Sequence, residues 1–240
     1  MNKSALFLLI SILPACMATG AGGHAPVSRN ASSTVAPMAA DRGLRKGAVI
    51  IQGAFGAAAY EEVRRSGGEN PPLGDNGGDL RQMPLIAANW QTVMGGDRVD
   101  FGIEAGGALG FRSDSTVVAT GGGGLLVGVD VDLFLFDLSV GPFINVNLGE
   151  KFRVYGAVGP LMQFANYSQD SKVDAIHVDD TGTGFGLGWY SRLGAEMAVG
   201  SGMMIGIGGR WIDSRVDLSS NLGDLDVKGA QVFLTFSTGF

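Results

Sequence analysis

Gly229-Ala230-Gln231-Val232-Phe233-Leu234-Thr235-Phe236-Ser237-Thr238-Gly239-Phe240 closes the chain and decides how the rest of it is read. Ala230, Val232, Leu234, Phe236, Thr238 and Phe240 alternate with Gly229, Gln231, Phe233, Thr235, Ser237 and Gly239. A period of two puts the two sets on opposite faces of a β-strand. One face is almost wholly apolar, while the other mixes small and polar groups.

Working back from this strand, the same alternation recurs at 47–60, 82–94, 98–112, 123–147, 152–166, 184–198, 203–214 and 227–240, eight segments in all. Short connections at Gly95-Gly96-Asp97, Leu148 to Lys151 and Gly200-Ser201-Gly202 alternate with longer polar ones at 61–81, 113–122, 167–183 and 215–226. In a closed membrane barrel, tight turns lie on one side of the bilayer and long loops on the other. The segment 123–147 is longer than its neighbours, and its apolar parity changes near Phe136 and Asp137. Val129, Val131, Leu133 and Leu135 carry it before that point; Leu138, Val140, Pro142, Ile144 and Val146 carry it after. A β-bulge inserts one residue and flips parity, so one long bulged strand is expected there.

Composition fits a narrow barrel. Forty glycines in 240 residues are entropically costly in regular structure unless many positions want no side chain, as the interior of a small barrel does. A net charge of −6 argues against a nucleic-acid partner, whose phosphates would need a basic stripe. No stretch reaches the ~18 apolar residues of a helical span, so a membrane location would require a closed sheet.

Residues 1–18 have the layout of a secretory signal, with Lys3 followed by the apolar run Ala5 to Leu13 and then small residues. The sole cysteine, Cys16, follows Leu13-Pro14-Ala15. That stretch resembles a lipoprotein signal ending before Cys16 and implies lipidation there, with Pro14 as a departure from the pattern. The alternative is a signal removed after Ala18 or Ala21, leaving no thiol. Residues 19–45, small and polar with Pro26 and Pro37, read as a disordered periplasmic tether, and 46–240 as the barrel.

The terminal aromatic strand resembles the assembly signal of bacterial outer-membrane β-barrels, and the whole of 47–240 resembles the eight-stranded barrels of the OmpA/OmpX type. The resemblance implies an all-β, closed antiparallel up-and-down transmembrane barrel in the bacterial outer membrane. Phe236 and Phe240 would carry the assembly signal. Outer-membrane lipid, lipopolysaccharide and the barrel-assembly machinery would be its partners. No functional residue is carried over, because the likeness lies in pattern and terminus rather than in a residue motif.

In such a barrel the continuous apolar face meets lipid and the glycine-and-charge face turns inward. On 98–112 this sets Val99, Phe101, Ile103, Leu109 and Phe111 outward against Asp100, Glu104 and Arg112. On 184–198 it sets Phe185, Leu187, Trp189, Leu193 and Met197 against Arg192 and Glu196. Asp100, Glu104, Asp137, Arg153, Arg192, Glu196 and Arg210 are therefore the expected lumen charge network. Both signs in a lumen just wide enough for side chains to fill it would make a polar plug, or a narrow gated pore if the pairs exchange partners. Trp90, Trp211, Tyr60, Phe164 and Phe240 are expected girdle aromatics near strand ends.

Catalysis would need a base, and the two histidines, His24 in the tether and His177 in the 167–183 loop, lie off the strands in this reading. A rim hydrolase acting on lipid or protein, built on His177 with Asp174, Asp179 or Asp180, is the enzymatic alternative. Asp170, Asp174, Asp179 and Asp180, with Asp213, Asp217, Asp224 and Asp226, are expected in acidic external loops that could meet an extracellular ligand. Their spacing does not match a twelve-residue calcium loop. Gly121 to Gly124 lacks the Lys and Ser/Thr of a phosphate loop. Neither a cofactor nor a bound metal is expected. The face assignment has a direct test in urea titrations of the refolded barrel: Leu187→Arg or Ile205→Arg should cost ~2–4 kcal/mol near the bilayer midplane, while Ser201→Arg in a turn should be tolerated.

Overall fold

A computed structural model describes residues 47–66, 80–96, 98–120, 125–173, 176–199, 202–218 and 222–239. The segments read as a signal and a tether, with Cys16, the glycine run 121–124 and Phe240, lie outside these residues. The described chain forms β1 (Val49–Ser66), β2 (Gln82–Gly95), β3 (Val99–Thr120), β4 (Leu125–Leu148), β5 (Phe152–Val173), β6 (Ile176–Ala198), β7 (Met203–Leu218) and β8 (Asp224–Gly239). Each strand pairs antiparallel with the next, and β8 pairs back onto β1 to close the barrel.

Following partners round the wall gives the stagger. Ile50 leads through Gln91 and Glu104 to Gly141, which stands level with Gly159. The path continues through Tyr190, Ile212 and Gly229 to Tyr60, ten residues further along β1. A stagger of this kind tilts strands by ~35–45° and sets the barrel's girth. Gly229 makes the closing register workable. It has φ +143 and lies beside the shift between Tyr60 and Glu62, where any Cβ would collide with the backbone of Tyr60 and Glu61.

One seam is only partly zipped. Between β4 and β5 the paired register stops at Ser139↔Leu161 and resumes at Phe143↔Ala157. Pro142 and Pro160 fall in this gap, and proline has no N–H to give a ladder.

The two faces separate as the alternation implies. Ile51, Phe55, Ile86, Phe101, Ile103, Leu187, Leu193, Ile207 and Val232 are exposed on the outer wall. Asp100, Glu104 and Glu196 are buried inside. A surface so apolar facing outward around a charged interior is the inverse of a soluble barrel and is what hydrocarbon demands. Among the described residues no helix is long and apolar enough to cross a membrane; strands make the crossing.

Two expectations about boundaries are corrected. Three of the four external connections are much shorter than the polar runs suggested: β3 continues to Thr120, β5 to Val173, β6 begins at Ile176, and β7 and β8 reach Leu218 and Asp224, while 67–81 still separates β1 from β2. Asp170, Asp179, Asp180, Asp213, Asp217, Asp224 and Asp226 therefore stand on strands rather than in loops, as does His177, while Asp174 lies outside the described residues.

The bulge expected near Phe136 and Asp137 is absent. β4 keeps one register with β3 from Val146 to Leu125, and its register with β5 is the same on both sides of the proline gap. Odd-numbered residues point inward throughout: Asn145, Phe143, Ser139 and Asp137 are buried, and so are Leu135, Leu133, Val131 and Val129. What changes is the surroundings. Beside Leu138, Val140 and Ile144 the outside is hydrocarbon, so the apolar side chains face out. Around Asp130 and Asp132, which are exposed, the outside is water, so the apolar side chains face in. Above the membrane the barrel is thus an ordinary apolar-cored cylinder, filled by Leu133, Val131, Val216, Leu218, Leu225 and Val227. Its outer wall carries cross-strand pairs such as Arg215–Asp226 at 2.6 Å and Lys228–Asp213 at 3.5 Å.

Tyr60 is also corrected: it is 4% exposed and points into the lumen rather than joining the girdle, where its hydroxyl accepts from Gln231 at 2.9 Å. Leu133→Asp should destabilise the refolded barrel by ~2 kcal/mol or more, because it buries an unpaired charge. Asp132→Asn next to it should stay within ~0.5 kcal/mol, as read from urea midpoints; similar losses at both positions would contradict the inversion.

Candidate functional site

All seven charged residues assigned to the lumen point inward, with exposures between 0% and 8%. The strand period puts them there, and burial forces them to find partners. Six of them form three arginine–carboxylate pairs. Arg153 and Glu196 are in-register neighbours on β5 and β6 and pair within the wall. The other two pairs cross the lumen. Arg192 on β6 reaches Glu104 on β3 at 2.6 Å, and Arg210 on β7 reaches Asp137 on β4 through both carboxylate oxygens at 2.8 and 3.0 Å. The seventh residue, Asp100, accepts from Asn147 at 2.8 Å.

Arg192 and Arg210 stand directly opposite each other in the β6–β7 ladder, a like-charge arrangement that is unfavourable by itself. Each is neutralised from a different wall, and each lies over a tyrosine ring. The guanidinium of Arg192 is 4.7 Å from the centre of Tyr155, and that of Arg210 is 5.1 Å from the centre of Tyr190. Tyr155 fits because Gly194 and Gly208 lie beneath it; a Cβ at either would meet its ring or hydroxyl.

Neutral side chains extend the pairs, and one of them joins two pairs together. Gln52 donates to Glu196 at 2.6 Å and accepts from Arg192 at 2.6 Å, linking two pairs. Gln91 donates to Glu104 at 2.7 Å, and Thr235 and Ser237 each donate to Glu196 at 3.0 Å. Gln231 accepts from Arg210 at 3.4 Å and passes the chain on to Tyr60. Ser214 donates to Gln163 at 2.5 Å just below the apolar upper core. Sequence reasoning did not single out Gln52, Gln91, Gln163 or Gln231. The signal was available, since each has the parity opposite to the exposed apolar residues of its own strand, such as Ile51, Trp90, Met162 and Val232.

Little space is left. A cavity beside Arg192 and Arg210, bounded also by Asn89, Tyr155, Phe233 and Thr235, encloses about 10 Å³, room for about one water. Further up, Tyr167 is buried in the water-surrounded part of the barrel with Arg65 over its ring at 5.6 Å. Burial pushes its phenol above the ordinary value, against the pull of that guanidinium. Among the described residues no group of three or more His, Cys, Asp or Glu could hold a metal ion. Phe236, half of the expected assembly signal, is exposed on the outer wall and stacks on Phe55 at 6.4 Å.

A closed eight-stranded antiparallel barrel with an apolar belt outside and a polar lumen is the architecture of bacterial outer membranes; the chain is an outer-membrane β-barrel. Neither a protein-family model nor a curated protein matches its sequence. Solved barrels resemble it in shape at low identity. Ail, the attachment invasion locus protein of Yersinia pestis, was solved in complex with the heparin analogue sucrose octasulfate; it is 14% identical over 81% of this chain and 99% of that one, with TM-score 0.45. The outer membrane protein OprG from Pseudomonas aeruginosa is 13% identical over 81% and 96%, with TM-score 0.49. Neisserial surface protein A is 12% identical over 81% and 97%, with TM-score 0.36.

The cross-lumen pairs can be separated from simple packing by a double-mutant cycle in urea. Arg210→Met alone should cost ~3–5 kcal/mol, because it strands the Asp137 carboxylate. Adding Asp137→Leu should restore most of that loss; strictly additive losses would show that the two groups are not coupled.

Proposed function

We propose that this chain is a non-enzymatic outer-membrane barrel whose lumen is plugged by its charge network and whose work is structural or a binding role carried by the wall above the membrane. The observation that carries this reading is the crossing of the lumen by Arg192–Glu104 and Arg210–Asp137. Two struts from opposite walls brace the cylinder and fill the path an ion would take. The largely apolar upper core adds a second closure, since an ion crossing it would exchange water for mostly apolar neighbours.

The wall above the membrane suits a binding role because it is stiff. From β3 to β6 its strands continue the barrel ladder far above the belt, with β5 and β6 separated only by residues 174 and 175, so a ligand would meet a pre-ordered surface there. Asp130, Asp132 and Asp217 face outward on it beside Arg215 and Lys228, a mixed polar surface that suits a hydroxyl-rich ligand.

The rival reading, a small channel for ions or apolar solutes, is separated by conductance of the refolded barrel in planar bilayers. A plugged barrel gives rare, small openings, and Arg210→Ala with Asp137→Ala should make them larger and longer. Steady conductance from the unaltered protein would replace this reading with the channel. Turnover of lipid or peptide that disappears in His177→Ala would replace it with an enzyme.

A further inference from the structure

The lipid-facing wall of β4, β5 and β6 is not evenly filled. Phe136, Phe164 and Phe185 form one row across the three strands, and Leu138, Met162 and Leu187 form the row beneath it. Phe136, Leu138, Met162, Phe164 and Phe185 line a groove of about 300 Å³ that opens outward, at the lower end of the range for small-ligand sites. Its lining holds no ionisable group, so whatever occupies it is apolar over that length.

Its position along the strands assigns a leaflet. Just above the phenylalanine row, Asn166 pairs with Thr183 and Ser168 with Thr181, and the Ser168 and Thr181 hydroxyls meet at 3.1 Å on the exposed face. Below the groove the outward face stays apolar through Val140 and Ile144 to Leu148, beside the turn into β5. The groove therefore sits directly under the outer boundary of the apolar belt, within the leaflet on the side where the strands run on above the membrane. A lipid of the opposite leaflet would have to run nearly the whole belt to reach it.

We propose that this groove docks one acyl chain of an outer-leaflet glycolipid, with the sugar lying against the amide and hydroxyl rows of Asn166–Thr183 and Ser168–Thr181. A second copy of the barrel fits less well, because two narrow cylinders touch along a line, whereas a stable protein interface buries on the order of 1,200–2,000 Å². An acyl chain conforms to the groove and keeps its remainder in the bilayer. The charge around the groove is mixed: Asp130 and Asp132 point outward above it, while Arg215, in register with Leu187, is exposed but held by Asp226, so recognition rests first on the chain and the sugar hydroxyls.

Native mass spectrometry of the refolded barrel in detergent, with lipid A or phosphatidylethanolamine added, tests the site. The barrel should keep one lipid A at collision energies that strip phosphatidylethanolamine. Leu138→Trp and Met162→Trp fill the groove while keeping the wall apolar, and each should weaken that retention about tenfold, a difference of ~1.4 kcal/mol. Ile207→Trp, on the outer face of β7, should leave it unchanged, with folding of every variant checked by heat-modifiable mobility. Equal retention of the two lipids, or groove-filled variants that hold lipid A like the unaltered chain, would overturn the proposal. A dimer that the same two substitutions abolish would also overturn it, by making a second copy the occupant.

Discussion

Hydrocarbon offers the backbone no hydrogen-bond partner, and the rest of this structure depends on that constraint. A chain without an apolar helix long enough to span can cross only as a sheet with no free edge, so β8 must find β1. Closure at eight strands leaves a lumen too narrow for water to solvate charges freely. Every charge admitted to it must find a partner, and the chain answers with three arginine–carboxylate pairs and, at Asp100, an amide donor. At the seam of Pro142 and Pro160 the ladder gives up bonds to residues that cannot donate.

The same strands solve two opposite solvent problems without changing geometry. Inside the bilayer the wall is greasy outside and charged inside; above it the wall is charged outside and greasy inside. β4 runs through both regimes with unbroken parity, from Val146 beside lipid to Asp130 beside water. The crossover near Phe136 and Asp137 therefore marks the membrane surface. A change of parity in the hydrophobic pattern of a long strand is evidence of a bulge only if the environment on each side stays the same.

The lumen gains rigidity from cross-bracing as well as from pairing. A pair within the wall, like Arg153–Glu196, fixes two neighbouring strands that the ladder already fixes. Pairs that span the axis, like Arg192–Glu104 and Arg210–Asp137, tie opposite walls together, and Gln52 couples one kind to the other. Removing one member of such a pair leaves a stranded charge in a dry site, which is why the network resists piecemeal opening.

Much of this was legible beforehand. Alternation with a period of two fixed which residues face lipid and which face the axis, because the strand alone determines it; Asp100, Glu104, Asp137, Arg153, Arg192, Glu196 and Arg210 could be assigned inward from their parity. Loop lengths were misread because polar residues on the water-facing wall of an extended strand look the same in sequence as polar residues in a loop. Tyr60 was placed in the girdle because an aromatic near a strand end satisfies either face. Which carboxylate each arginine takes was out of reach, since it depends on the stagger accumulated round the closed wall, and that stagger brings β6 to face β3 and β7 to face β4. The sequence by itself determined the two faces, because side-chain direction is local; only tertiary closure decided the partners across the lumen, because distance across a barrel is not.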